Sequence, residues 1–360
     1  MMRVSAATVQ VWLAFLVVAV PGFGADGRPE YFVSPNGRDD ATGETQDLAL
    51  KSITEGLRRA RTLGGATLRV LPGVYGKETE SFPLEPPAST TITAQDPSDP
   101  PRIIAGTRLL PVFWVHGIPW EPAPERDGEP PWPEPDEHAP LLSHLIIQDG
   151  GRCWGGTGGG ILVEEATLFV TDCEVVENHS GSGSGVTAAD GSKVVFRKSK
   201  INRNYGCGGT VDVGTGVFLS NGSIAAFEDC EIVANDGGLG HAGVYADFNV
   251  HLFMRDCGIL DNYGSPLRAN SSRVTLDHCI ISGHPIDGDN AEAPIAIHRG
   301  HLILRDSLVY GNEGTASSLV LAQSSGLISG STIAYNSGGS VEARYSLDVC
   351  LPAMETVLKG

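Results

Sequence analysis

The stretches Lys193-Val-Val-Phe-Arg-Lys-Ser-Lys-Ile-Asn-Arg-Asn204 and His251-Leu-Phe-Met-Arg-Asp-Cys-Gly-Ile-Leu-Asp-Asn262 carry one pattern in different residues. In each, apolar and polar side chains alternate up to a small residue, Ser199 or Cys257, and an asparagine follows five positions later. The pattern occurs seven times between residues 159 and 336, and the small residues are 22 to 31 positions apart. A unit that recurs in this way, with its length variation confined to the segment after the asparagine, indicates a solenoid of stacked coils.

Two sets of aligned positions define the repeat, and we call them the anchor column and the asparagine column. The anchor column contains Cys173, Ser199, Cys230, Cys257, Cys279, Ser307 and Ser331, and the asparagine column contains Asn178, Asn204, Asn235, Asn262, His284, Asn312 and Asn336. Fourteen positions before the anchors stand Gly159, Gly185, Gly216, Gly243, Ser265, Ala293 and Ser317. The sequence therefore predicts a single register throughout this window.

The spacing of the apolar residues decides between strands and helices. They alternate, as in Leu252 and Met254, and β-branched residues follow the anchors. A period of two indicates strands, whereas a helical repeat would space its apolar residues by three and four. A leucine-rich repeat would need regularly spaced leucines, which are missing. Short strands, tight turns and coils of this length predict an all-β fold, a right-handed parallel β-helix solenoid.

The columns also predict how the coils are held together. Buried anchor cysteines should pack as free thiols, which behave as small hydrophobes. The asparagine column should form a ladder of amide hydrogen bonds between coils. Two positions before the anchors stand Thr171, Arg197, Glu228, Arg255, Asp277, Arg305 and Ser329. The five from Arg197 to Arg305 alternate in charge sign from coil to coil, so we expect an outward ladder of ion pairs.

The start of the chain has the features of a secretory signal peptide. Residues 1–24 contain Arg3, an apolar run from Val9 to Val20, and small residues near Gly24. The run is short for a membrane span, and an uncleaved anchor is the open alternative. We therefore expect residues 25–360 to form one β-helix domain that is secreted, periplasmic or displayed at the cell surface.

A short helix should cover the N-terminal end of the solenoid. Between Leu50 and Leu63, the residues Ile53, Leu57, Ala60 and Leu63 share one face. An open solenoid end needs such a cap. After residue 336 the pattern decays without an obvious cap, so either the tail or a partner subunit should cover the other end.

The N-terminal motifs carry a family resemblance. The order Tyr31-Phe-Val-Ser-Pro35, Asn36-Gly37, Asp39, Gly43, a helix, and then Leu71-Pro-Gly-Val-Tyr75 resembles the N-terminal module of secreted bacterial right-handed β-helix proteins. The fold of these proteins is similar to that of pectate lyases, and many are domains of unknown function. The resemblance implies the β-helix fold for most of the mature chain and is weak for activity.

Composition restricts the partners. The formal net charge of −18 argues against nucleic acid and anionic membrane surfaces as partners.

Cys153, Cys207 and Cys350 lie outside the anchor column, and no Cys/His spacing typical of zinc is present.

Residues 111–140 interrupt the repeat. The segment is rich in proline and acidic residues, which indicates a long loop rather than a central strand. The repeat resumes at Leu141, and Leu145-Ile-Ile147 then fits the later pattern, with His144 in the anchor column. We favour an insertion that covers the coils or is disordered, and the alternative is a sugar-binding lid, because tryptophan faces stack on pyranose rings: Trp114, Trp120 and Trp132.

The loops after the asparagine column offer candidate site residues. Long loops after Asn204, Asn235 and His284 surround a short one after Asn262, which should leave a notch on the side of the solenoid. Acidic oxygens in the loop after His284 could hold Ca²⁺, with a plain acidic turn as the favoured alternative. The metal candidates are Asp287, Asp289 and Glu292; the catalytic candidates are His241, Asp287, Asp289 and His298, with Asp212 nearby.

Two function classes fit these features. One is a non-catalytic exported solenoid that binds a polysaccharide or a cell-surface protein. The other is a polysaccharide lyase or glycoside hydrolase that acts on a polyuronate-type glycan, which needs a base with a charge-neutralising cation, or two carboxylates. The known signatures of polygalacturonases and pectate lyases are missing from the sequence, so no reaction is assigned.

Overall fold

The protein is a right-handed parallel β-helix of about nine coils with one short helix at its N-terminal end. The computed structural model describes residues 22–23, 27–118, 132–207, 214–237, 241–285, 293–313, 317–337, 341–344 and 349–350. The predicted fold class is confirmed. The signal peptide predicted at residues 1–24 lies almost entirely outside the described residues, so it stays a prediction.

Three parallel sheets form the sides of the solenoid, and from Thr91–Ala94 to Val341–Arg344 each coil contributes one strand to each sheet. Sheet I contains Pro29–Val33, Thr67–Val70, Thr91–Ala94, Leu141–Ser143, Ile161–Thr171, Lys193–Arg197, Ile224–Glu228, His251–Arg255, Arg273–Asp277, His301–Arg305, Ser325–Ser329 and Val349–Cys350, with Gly22–Phe23 antiparallel at its edge. Sheet II contains Val74–Gly76, Arg102–Ile104, Ile146–Gln148, Glu174–Val176, Lys200–Asn202, Glu231–Val233, Gly258–Leu260, Ile280–Ser282, Leu308–Tyr310 and Thr332–Ala334.

Sheet III follows the variable loops. It contains Phe113–Ile118, the first half of Ile161–Thr171, Val186–Ala189, Val217–Ser220, Val244–Asp247, Leu267–Asn270, Ile295–His298, Leu319–Ala322 and Val341–Arg344. A further small sheet contains Gly151–Thr157, His179–Ser182 and Tyr205–Gly206. Inward side chains of the three main sheets form one continuous apolar core.

The N-terminal helix runs over Ile53–Leu63, after a 3₁₀ turn at Gln46–Leu48. Ser52 caps it by accepting a hydrogen bond from the Glu55 N–H at 3.1 Å. The helix packs closely on the first coils, because a Cβ built on Gly56 would lie 2.9 Å from the Leu68 side chain. The predicted cap is present; Ile53, Leu57 and Ala60 are buried, whereas Leu63, at the end of the helix, is 49% exposed.

The asparagine ladder is confirmed. Asn235 is fully buried; its Oδ1 accepts from the backbone N and Nδ2 of Asn204, and its Nδ2 donates to the Ile201 carbonyl and to Asn262 Oδ1. At the fifth coil of the repeat His284 takes the place of asparagine. Its Nδ1 accepts from the Asn262 N–H at 3.1 Å, and its Nε2 bonds the Ile259 carbonyl at 2.9 Å.

The other two column predictions are also confirmed. The four anchor cysteines are free and buried, and burial raises the pKa of Cys173 to about 12. In the charge ladder, Arg197 Nε lies 2.9 Å from a Glu228 oxygen, and Arg255 lies 3.9 Å from both Glu228 and Asp277. These pairs are partly exposed, so each contributes only a few tenths of a kcal/mol, on the order of 0.5.

The prediction of a single register is wrong. Val244 pairs with Leu267 and Ile161 pairs with Val186, so Gly159 and Ser265 do not belong to the column of Gly185. Three coils contain an extra residue where sheet III turns into sheet I. Each of these corners has two consecutive residues with positive φ, at 190–191, 221–222 and 248–249.

Three further expectations are corrected. Phe113–Ile118, inside the expected loop, is a strand that pairs with Ile161–Thr171, because its alternating apolar side chains reach the core. Leu145, not His144, occupies the anchor position; His144 has positive φ, like Asp172 in the next coil. Cys153 and Cys207 form a disulfide that the sequence did not predict.

Candidate functional site

The outer face of sheet III carries a stripe of aromatic and cationic side chains. Phe218, Tyr245 and Arg268 occupy the same outward position in three consecutive coils. The rings of Phe218 and Tyr245 are nearly parallel, with centroids 5.8 Å apart, and the guanidinium of Arg268 lies 5.9 Å from the Tyr245 ring. All three side chains are half-buried, so they combine a fixed position with access from solvent.

Glycines keep one edge of this stripe open. Gly183 and Gly214 have φ of 59° and 56°, in the region that disfavours other residues. A Cβ on Gly183 would lie 3.0 Å from the Cβ of Phe218, and one on Gly214 would lie 3.0 Å from the Cβ of Tyr245. A side chain at either position would crowd the strand that carries Phe218 and the Cβ atom of an aromatic residue.

His241 fixes the cation of the stripe. It is 8% exposed, its ring stacks on Tyr245 with centroids 5.3 Å apart, and its Nε2 lies 3.1 Å from Arg268 Nη1. A guanidinium only donates, so Nε2 must accept and the ring proton is on Nδ1. Burial, Arg268 and then His298 lower the pKa of His241 to about 3, so the ring is neutral at pH 7.

Two buried polar atoms, one on His241 and one on a neighbour of His241, have no hydrogen-bond partner within the described part of the chain. They are His241 Nδ1 and Thr215 Oγ1. The two residues are neighbours, because the Thr215 N–H donates to the His241 carbonyl at 3.1 Å. Buried polar groups in folded proteins are rarely left unpaired, so such atoms are natural contacts for a ligand or water.

A second outward column flanks the stripe. Asn270 donates from Nδ2 to the Tyr245 hydroxyl at 2.7 Å, and its Oδ1 lies 3.5 Å from Arg268 Nε. Asp247 and His298 are in register with Asn270 on the coils before and after it. The phenol, amide, guanidinium and imidazole groups therefore converge on one patch, which we call the sheet III site: Phe218, His241, Tyr245, Arg268, Asn270 and His298.

The structure brings two of the predicted site residues together and separates others. His241 and His298 both belong to the sheet III site. Trp114 is outward on the same sheet, three coils before Phe218, and its Nε1 donates to Glu164 at 2.8 Å. Trp132 lies instead on sheet I, 5.9 Å from Phe253 between ring centroids. Asp212, Asp287, Asp289, Glu292 and Trp120 lie outside the described residues.

The sequence reasoning missed Phe218, Tyr245 and Arg268. With a single assumed register, Arg268 falls one position away from the column of Tyr245. The signal that could have aligned Arg268 is the corner before each sheet I strand. That corner contains two left-handed residues, Phe248 and Asn249, in the coil of Tyr245, whereas in the next coil it contains only one, Ser271. Counting sheet III positions from those corners puts Tyr245 and Arg268 in line.

Comparison with known proteins places the chain in a family. The model of the family described as "Right handed beta helix region" matches residues 139–240 and 215–349. No curated protein matches the sequence significantly. Among the described residues, no helix is long and apolar enough to cross a membrane.

Solved structures with a similar fold share little sequence with this chain. Pectate lyase Pel9A has a TM-score of 0.48 at 11% identity, over 91% of this chain and 77% of that one. A rhamnogalacturonan lyase has a TM-score of 0.41 at 13% identity, over 84% and 73%. The A-module of the mannuronan C-5 epimerase AlgE6 of Azotobacter vinelandii has a TM-score of 0.37 at 11% identity, over 83% and 95%. On the strength of the family match over residues 139–349, the chain belongs to the right-handed β-helix family.

Proposed function

We propose that this protein is exported and binds an acidic polysaccharide along the outer face of sheet III. The observation that carries the proposal is the alignment of Phe218, Tyr245 and Arg268 in consecutive coils. Aligned apolar rings contact the C–H surfaces of sugar units, and a guanidinium binds a sugar carboxylate through two parallel hydrogen bonds.

The surroundings of Arg268 favour recognition of a carboxylate. His241 holds Nη1, and Asn270 Oδ1 lies beside Nε, so the guanidinium is fixed before a ligand arrives. A fixed cation loses less conformational freedom on binding than a mobile one. Because His241 is neutral, it positions the Arg268 guanidinium without neutralising its charge.

The protonation state of His241 favours binding over catalysis by this residue. A general base works best when its pKa lies near the operating pH. The pKa of about 3 makes His241 a weak base at neutral pH. We therefore assign His241 the role of positioning Arg268.

A polysaccharide lyase is the second candidate, and one arrangement favours it. The Tyr245 hydroxyl is held by Asn270 at 2.7 Å on the same patch as Arg268. In a lyase reaction the Tyr245 phenolate would take the C5 proton of a uronate, and the electron pair left on C5 would form the C4=C5 double bond as the C4–O bond breaks. The Tyr245 hydroxyl would then pass the proton to the departing sugar oxygen, which restores the phenolate. Arg268 would neutralise the carboxylate next to the acidic carbon.

A single series of variants tests both functions. Binding of polyuronates and of neutral glycans is measured by calorimetry for wild type, Arg268→Ala and the control Arg273→Ala. Arg273 is an exposed arginine in the same coil that points outward from sheet I. We expect at least a tenfold loss of affinity for the acidic glycan in Arg268→Ala and none in Arg273→Ala.

The outcomes separate the candidates. Ultraviolet absorbance of an unsaturated product in wild type, lost in Tyr245→Phe, would establish the lyase. Binding without product would establish the non-catalytic solenoid. Equal affinity of wild type and Arg268→Ala would contradict the site.

Calcium binding by Asp287, Asp289 and Glu292 stays a prediction, because the loop lies outside the described residues. If the loop holds the ion, calcium should raise the thermal unfolding temperature of wild type and leave that of Asp287→Asn/Asp289→Asn unchanged. Equal shifts in the two proteins would place any calcium elsewhere.

A further inference from the structure

A segment of the chain lies across the outer face of sheet I. We call residues 132–138 the strap. Trp132 contacts Phe253, Glu134 bonds Arg197 at 2.7 Å, and the His138 carbonyl accepts from the Ser89 N–H at 2.8 Å. These partners belong to successively earlier coils, so the strap runs backwards along the solenoid.

The face beneath the strap is apolar although it points outward. Phe169, Val195, Ala226 and Phe253 occupy one outward column of sheet I in four consecutive coils. Outward positions of a solvated sheet are normally polar. Here Val195 is 1% exposed and Phe253 is 4% exposed, and Trp132 packs on their cluster. The column is therefore built to be covered.

The charges of the strap match those of the face. The guanidinium of Arg255 lies 4.3 Å from the centroid of the Trp132 ring, and Arg197 pairs with Glu134. Asp136 and Glu134 both act to raise the pKa of Lys193, against the larger effect of burial, so they lie near its ammonium group. The strap thus presents an aromatic ring and then two carboxylates, at every second residue. The ring lies against an arginine, the first carboxylate pairs with an arginine, and the second lies near a lysine.

The backbone of the strap suits recognition in an extended form. Pro133 and Pro135 lack an N–H and hold the residues before them extended. Such a segment binds through its side chains and loses little conformational entropy when it docks.

Part of the contact between the strap and sheet I lies at the solvent-exposed surface. Glu134 is 69% exposed, so its pair with Arg197 is screened by solvent. The Trp132 Nε1 is buried without an acceptor among the residues that the structure describes. A segment held in this way opens more readily than the sheets beneath it.

We propose that the outer face of sheet I is a recognition surface for an extended, proline-rich acidic peptide that carries a tryptophan, and that the strap is its resident intramolecular occupant. An external peptide of the same chemistry competes with the strap for Phe253, Arg255 and Arg197. This surface is separate from the sheet III site, so its test does not depend on glycan binding.

The test uses a fluorescent synthetic peptide of residues 131–139 and the full-length protein. The strap is weakened by Trp132→Ala/Glu134→Ala, and the face is altered by adding Arg255→Ala. A peptide with alanine in place of Trp132 and Glu134 is the matched control. Tethering gives the strap a high effective concentration, so wild type should bind the peptide at least tenfold more weakly than the strap variant. The strap variant that also carries Arg255→Ala should bind the peptide at least tenfold more weakly than the strap variant alone.

Three outcomes would overturn the proposal. The first is a folded strap variant, shown by its cooperative thermal unfolding, that does not bind the peptide. The second is equal binding of the native and alanine peptides. The third is that an acidic polysaccharide, and not the peptide, gains affinity when the strap is weakened, which would make this face a glycan surface.

Discussion

Replacing a central asparagine of the ladder should cost far more stability than replacing a terminal one. Asn235→Ala removes four hydrogen bonds of 2.9 to 3.0 Å, two accepted from Asn204 and one donated to each of Ile201 and Asn262. Asn235 is fully buried, so water does not replace these bonds. Asn336→Ala is the matched control, because it removes the same side chain at the last rung, where the residue is half-buried.

The expected magnitude follows from the bond count. A buried hydrogen bond contributes roughly 1 kcal/mol net, so four bonds give a loss of about 4 kcal/mol for Asn235→Ala. Asn336 makes three bonds, to Asn312 and Val309, but solvent reaches the site, so we expect a loss of about 1 kcal/mol.

Urea unfolding followed by circular dichroism measures this difference. The free energies of unfolding of wild type and the two variants are compared at equal denaturant slope, because a changed slope would mean that the solenoid no longer unfolds as one unit. Similar losses for Asn235→Ala and Asn336→Ala would refute the argument that the buried ladder holds the coils together.

Other predictions concern the irregular rung and the disulfide. His284→Asn should stabilise the protein by about 1 kcal/mol, because an amide oxygen can accept from both the N–H and the Nδ2 of Asn262, whereas Nδ1 accepts only one bond; thermal unfolding at pH 7 checks this. Burial lowers the pKa of His284, and it lowers that of His241 to about 3. In the unfolded chain both histidines have a pKa of about 6.5, so below that pH the unfolded chain binds more protons than the folded protein. Stability should therefore be full above that pH and fall as the pH drops from 6.5 toward 3, less steeply in His284→Asn than in wild type; an equal slope would contradict it. Cys153→Ser/Cys207→Ser opens a link across 54 residues and should cost about 4 kcal/mol on the chain-entropy relation, a loss that reductant should reproduce in wild type.

The repeat made most of the fold predictable. Asparagine at a fixed distance from a small residue predicted a buried ladder, because an amide can accept from one coil and donate to another. Alternating charge two positions before the anchor predicted the ion pairs from Arg197 to Asp277, since in-register parallel strands place these residues side by side.

The site was harder to predict, because it depends on a one-residue difference at a corner. The extra left-handed residue before strands such as His251–Arg255 shifts sheet III relative to the anchors. An alignment that ignores this extra residue does not bring Tyr245 and Arg268 into line. His241 and His298 were nevertheless already candidates. A slip of one residue in a strand moves every side chain to the other face, so such a slip hides a functional column.

The disulfide and the early strand were missed for different reasons. Cys153 and Cys207 lie in segments of variable length, and connectivity is not deducible from spacing alone. Phe113–Ile118 stands in a segment whose prolines and acidic residues predicted a loop, yet Phe113 and Val115 are fully buried and complete the core of an early coil. The composition of residues 111–140 as a whole predicted a loop, and the alternation of apolar residues in Phe113–Ile118 was overlooked.

The most direct test of the central claim is a crystal structure of the protein with a bound acidic oligosaccharide. We predict that the sugar lies along sheet III, with a carboxylate on the Arg268 guanidinium and sugar units over Tyr245 and Phe218. An oligosaccharide bound on sheet I or sheet II, with the sheet III site empty, would contradict the account.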